Sequence, residues 1–166
     1  GFDQEHGRGL GRLDAPQGAA RQHDVVAVAI GEMAPVAEQA AGALVHARST
    51  TPEFSCAAFT HSTLWGITRN PWNPEFNPGG SSGGSGAAWA SGTAYLASGS
   101  DIGGSIRIPA SFCGVVGFKP PYGRNPADPP GNLDWYSHTG PLARTVADCA
   151  LFQNVVNGAH PRDIVS

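Results

Sequence analysis

The sequence predicts an α/β fold on three observations. Short apolar runs of strand length alternate with helix-like segments built on small residues. Glycine (23) and proline (14) are abundant while charged residues make up only 14%, which favours a loop-rich globular protein over a helical bundle. At 166 residues the chain is long enough for one ordinary domain with a real core.

The elements follow in order. Residues 1–33 show no clear period apart from VVAVAI at 25–30, an apolar run of strand length. The alanine-rich PVAEQAAG predicts a short helix closed by Gly42, and ALVHA after it a buried strand. Pro52 disfavours helix at Thr51, so STTPEF is a turn. WGITRNPWNPEFNPGG holds Asn-Pro steps at 70–71, 73–74 and 77–78, which predict an extended surface loop with a set path. After the glycine–serine run that follows, GAAWASG predicts a short helix and TAYLASGSD a strand running into a turn. SIRIPASFCG predicts a helical turn or short helix, VVGFKP a strand ended by Pro120, and PYGRNPADPPGNLDWYSHTGP a second proline-rich loop. TVADCALFQNVVNG is the clearest helix: Thr145 and Asp148 resemble a capping box, and Gly158 supplies the stop.

Several functional classes drop out early. Ten basic against thirteen acidic residues give a formal charge of −3, with no footprint for nucleic acid or an anionic membrane. No run of about 18 apolar residues exists, so no membrane span is expected. The opening GFDQEHGRGLGRLD lacks the pattern of a secretory signal and starts on Gly, so the true N-terminus is expected to be missing or processed. Cys56, Cys113 and Cys149 fit neither zinc spacing nor a disulfide framework and read as reduced, mostly buried thiols of a cytoplasmic protein. The six histidines are scattered and read as surface or packing residues, and no metal or cofactor is called for.

The stretch Gly79–Gly86, GGSSGGSG, has the composition of a flexible linker. Yet no complete domain fits on either side of it, a small-residue helix follows directly, and Asp101-Ile-Gly-Gly-Ser105 repeats the theme. That second cluster suits a nucleophile. Gly103 and Gly104 leave the approach to Ser105 unobstructed, and the N–H groups of Ile102, Gly103, Gly104 and Ser105 could converge as an oxyanion hole. A serine in such a place still needs a base. Gly79–Gly83 also satisfies G-x-S-x-G, but NPEFNP precedes it where a nucleophile elbow demands a strand. No Gly-Lys-Ser/Thr follows the glycines, which argues against a phosphate-binding loop.

Together, PGGSSGGSGAA and GSDIGGSIRIPASFCGVVGFKP closely resemble the core signature of the amidase signature family of serine hydrolases. HARSTTPEFS and TRNPWNPE resemble its upstream loop, and GPLARTVADCALFQNV its downstream helix, so the likeness runs from about Ala34 to the C-terminus. The resemblance implies a mixed central sheet flanked by helices, here incomplete at both ends. It also implies hydrolysis of a small-molecule amide through a Ser–cisSer–Lys triad, with a homodimer as a further expectation for the full-length form. Ser105 then resembles the nucleophile, and Ser81, in a cis peptide, the relay serine. The backbone of Ile102, Gly103 and Gly104 resembles the oxyanion hole. Asp101 and Arg107 are structural supports, and Ser82 is a neighbour in the hydrogen-bond network.

The chain departs from the family at the triad's lysine, which belongs to a Lys-Asp pair well upstream of the serines. Lys119 is the only lysine here, lies downstream, and reads as structural because the family also carries a lysine there. Residues 1–33 match nothing in the family: Arg8 cannot serve as a base, and His6 lacks a family context. These residues read as a wrong-frame or misassembled segment, or else the gene is a decayed relative. Residues 34–166 are then a partial catalytic domain. Two alternatives stay open: an inactive remnant of the same fold, and a glutamyl-tRNA amidotransferase A-type subunit. That branch usually has Gln after Ser-Ile-Arg, where this chain has Ile108.

Overall fold

The computed structural model describes the backbone of residues 27–30 and all of residues 43–166. A five-stranded sheet organises them. Its strands are β1 (Ala27–Ile30), β2 (Leu44–Arg48), β5 (Leu96–Asp101), β6 (Val116–Gly117) and β7 (His138–Ala143), in the order β2-β1-β5-β7-β6. β1 runs parallel to β2 and to β5, while β7 runs antiparallel to β5 and β6, so the sheet is mixed. A small hairpin of β3 (His61–Ser62) and β4 (Gly66–Ile67) stands apart.

The helices are α1 (Gly83–Ala90), α2 (Arg107–Cys113) and α3 (Val146–Val156). Successive strand residues face opposite ways, and β5 uses both faces. Ala97 joins Trp89 of α1, Ile106, Ala110 of α2 and Leu142 of β7 in one apolar cluster. Its neighbour Leu96 packs on the other face with Phe152 and Val156 of α3 and Val45 of β2. The α3 N-terminus forms as expected, with Thr145 Oγ1 accepting from the Asp148 N–H at 3.1 Å.

The first apolar run does become a strand, and it sits between β2 and β5. The expected helix over 35–42 lies outside the described residues. Three expectations need correction. ALVHA forms a strand but not a buried one, because β2 is the sheet edge and Leu44 is 55% exposed. The helix expected after the glycine–serine run starts inside it, at Gly83. The second proline-rich loop ends sooner than expected, because His138 to Pro141 belong to β7. Gly-Pro reads as a breaker, but the Pro141 carbonyl still accepts from the Phe118 N–H at 3.1 Å.

The loop before the glycine–serine run does take a set path. Asn70, Asn73 and Asn77 each precede a proline, and each side-chain carbonyl accepts from the N–H two residues on. The donors are Trp72 at 3.0 Å, Glu75 at 2.9 Å and Gly79 at 2.8 Å.

Candidate active site

Residues 78–87 are buried without interruption, which no flexible linker would be. Glycine is required here by close approach, not by flexibility. A Cβ on Gly80 would stand 2.7 Å from the backbone of Ala57 and Phe59, and one on Gly84 would collide with Thr50. Glycine and serine are poor helix formers, so α1 is held by its surroundings. Ser85 Oγ donates to the Ser98 carbonyl at 2.8 Å and pairs with Ser49 Oγ at 2.8 Å.

The two serine segments meet. The Ser82 N–H donates to the Ser105 carbonyl at 3.2 Å. Ser82 Oγ closes on β5, accepting from the Ser100 N–H at 3.2 Å and donating to the Ser100 carbonyl at 3.3 Å. The Gly80–Ser81 peptide is cis, and Ser81 is 2% exposed. Thr60, 1% exposed, donates its hydroxyl to the Gly79 carbonyl at 2.9 Å and reaches the Ser81 carbonyl at 3.4 Å. Among the described residues, neither the Ser81 nor the Ser105 hydroxyl forms a hydrogen bond.

Asp101 ends β5, fully buried, and organises the loop that follows. Its Oδ1 accepts from the Gly104 N–H at 2.8 Å and Arg107 Nη2 at 2.9 Å. Its Oδ2 accepts from Arg107 Nε at 2.9 Å and from the amides of Ile106 at 3.1 Å and Arg107 at 3.3 Å. Burial pushes this carboxyl up, but the Arg107 side-chain bond, the two amides and the guanidinium charge outweigh it and hold it at about 2. Lys119 Nζ stands 3.4 Å from Asp101 Oδ1 and donates to the Ile102 carbonyl at 2.7 Å. His138 faces Asp101 across the β5–β7 ladder, and burial followed by the Lys119 charge pushes its pKa down.

The expected oxyanion set changes in one member. The Gly104 N–H is committed to Asp101, so it is not free to hold a developing oxyanion. Ile102 and Gly103 are exposed, and their amides have no partner among the described residues. The positions of two residues in this neighbourhood were not legible in the sequence. Thr60 sits in AFTHS, a stretch without pattern, and only the fold brings it to Gly79. Ile108 was noted for its identity alone, yet its side chain lies over both serine loops: a Cβ on Gly79 would be 3.0 Å from its Cγ2, and one on Gly104 2.9 Å from its Cδ1.

A buried glycine–serine helix start, stapled to a second serine loop at the end of a mixed sheet's central strand, is the architecture of an amidase signature protein. The profile of the family described as Amidase matches residues 37–166, and the chain belongs to that family. It is similar to the A-type subunit of glutamyl-tRNA(Gln) amidotransferase from a Synechococcus strain, with 50% identity over 127 residues, 75% of this chain and 26% of the relative. The same-named protein of Methylacidiphilum infernorum is 48% identical over 135 residues, 76% of this chain and 26% of the relative.

Among solved structures, 6-aminohexanoate cyclic dimer hydrolase complexed with substrate superposes with a TM-score of 0.74 at 44% identity, over 78% of this chain and 28% of its own. The A-type amidotransferase subunit from Thermotoga maritima gives 0.76 at 31% identity, over 85% and 37%. The chain thus spans about a quarter of the length of the curated relatives it matches. Among the described residues no helix is long and apolar enough to cross a membrane.

Proposed function

We propose that this chain carries the nucleophile and proton-relay segments of an amide hydrolase that works through a serine acyl-enzyme. Ser105 Oγ attacks the amide carbonyl carbon while its proton passes to Ser81, which hands its own hydroxyl proton on to a lysine base. The Ile102 and Gly103 amides hold the tetrahedral oxyanion, and the C–N bond breaks as that proton returns through Ser81 to the departing nitrogen. Water then releases the acid from Ser105. The observation that carries this reading is the junction of the two serine segments, closed by the 3.2 Å bond from the Ser82 N–H to the Ser105 carbonyl beside two amides that have no partner among the described residues. The lysine base is the part this sequence does not supply, since Lys119 is engaged with Asp101 and the Ile102 carbonyl. Three free thiols suit a reducing compartment, and we assign the protein to the cytoplasm.

That engagement of the only lysine favours a second reading, in which the chain is an inactive scaffold of the same fold. A fluorophosphonate probe separates the two. Labelling of the wild-type chain that Ser105→Ala abolishes supports the hydrolase, and a folded chain that takes no label supports the scaffold. With the base absent, labelling of the chain is expected to be weak. Within the hydrolase reading, Ile108 over both serine loops supports a stand-alone amidase over a glutamyl-tRNA amidotransferase component. Release of ammonia from simple carboxylic amides, with no glutamyl-tRNA present, is the result that distinguishes them.

A further inference from the structure

Resting on the serine-hydrolase reading above, we propose that Lys119 is a positioning residue that orients the oxyanion-binding amide of Gly103. Lys119 Nζ donates to the Ile102 carbonyl at 2.7 Å, and its side chain is only 19% exposed. The Ile102–Gly103 peptide is trans, so its C=O and N–H point in opposite directions across one plane. A cation that grips the carbonyl on one side therefore fixes the N–H on the other. A charged donor makes the stronger bond, and this one is itself steadied by Asp101 Oδ1 at 3.4 Å.

The next peptide is fixed independently, with the Gly104 N–H on that same Asp101 oxygen at 2.8 Å. Among the described residues, the peptide between Ile102 and Gly103 thus has one anchor, and it is Lys119. Glycine allows peptide orientations that other residues do not, so without that anchor the plane is free to turn and present its carbonyl oxygen to a developing oxyanion instead. On the open side, a Cβ at Gly103 would meet nothing within 4 Å, which leaves room for a substrate to reach the amide.

The test uses the full chain, ¹⁵N-labelled, as wild type, Lys119→Met and Lys119→Arg. Its readouts are the Gly103 amide resonance, the rate of Ser105 acylation by a fluorophosphonate, and the melting temperature. Lys119→Met is expected to shift the Gly103 resonance and slow acylation at least about 10-fold, toward the 10²–10³ that loss of one oxyanion donor costs. Lys119→Arg, which keeps a charged donor, is expected to restore much of both. A lowered melting temperature in Lys119→Met with an unmoved Gly103 resonance and an unchanged acylation rate would overturn the proposal and leave Lys119 a stabilising residue only. If wild type takes no label at Ser105, the hydrolase reading fails on its own. The Gly103 resonance then still decides whether Lys119 holds this peptide, and an unmoved resonance overturns the proposal there too.

Discussion

Arg107 grips the buried Asp101 carboxylate with two nitrogens, Nε and Nη2, each at 2.9 Å. The pair is lopsided: Asp101 is fully buried, while the Arg107 side chain is 54% exposed. The carboxylate also gathers three backbone amides, so its charge shapes the loop from Gly104 to Arg107.

The pH dependence of stability follows from that carboxylate. Its folded pKa, about 2, lies below the ordinary value of 3.8. Its contribution is therefore complete above about pH 4 and is lost as pH falls toward 2. The gap between the two values corresponds to about 2 kcal/mol. Denaturant melts at pH 6, 4 and 2.5 should show the loss in wild type and a flatter profile in Asp101→Asn. Parallel profiles would rule out Asp101 as the source.

Adjacent glycines in the loop after β5 should respond in opposite ways. Gly104 has φ +133°, and a Cβ there would press to 2.9 Å from Ile108 Cδ1. Gly104→Ala is expected to destabilise by about 1–3 kcal/mol. Gly103 has open space where its Cβ would be, so Gly103→Ala should stay within about 0.5 kcal/mol of wild type. Chemical denaturation of the two variants checks the contrast.

The three thiols should differ in reactivity. Burial pushes Cys113 up to about 11 and raises Cys149 as well, whereas Cys56 is exposed. Iodoacetamide at pH 8 should modify Cys56 in the native chain and reach the other two only after denaturation. Peptide mass mapping reads the order, and early loss of the Cys113 thiol would contradict the burial.

The lysine base that the proposed hydrolase calls for makes a prediction about the gene. If residues 1–33 come from a wrong reading frame, translating the nucleotide sequence upstream of Ala34 in the other frames should reveal a Lys-Asp pair. Its absence from all three frames would favour a decayed relative.

The close packing of the two serine segments was the most legible part of the sequence, because glycine at set intervals reports close backbone approach that few other residues survive. The Asn-Pro loop and the α3 cap were legible for a similar reason, since each rests on bonds between near neighbours. What escaped depended on distant partners. The exposure of β2 follows from its edge position, and Thr60 gains its place only when the β3 segment folds against Gly79. The commitment of the Gly104 amide to Asp101 was hidden because a three-residue separation does not say which way a peptide faces.

The antiparallel pairing of β5 with β7 has a consequence beyond the sheet. It sets His138, where the 121–137 loop ends, directly beside Asp101, where the second serine loop begins. A long proline-rich segment is thus joined to the second serine loop through a single rung of strand. Residues of 121–137 line a cavity that reaches back to Ser100 of β5, so exchanges there can reshape that cavity while every strand keeps its register.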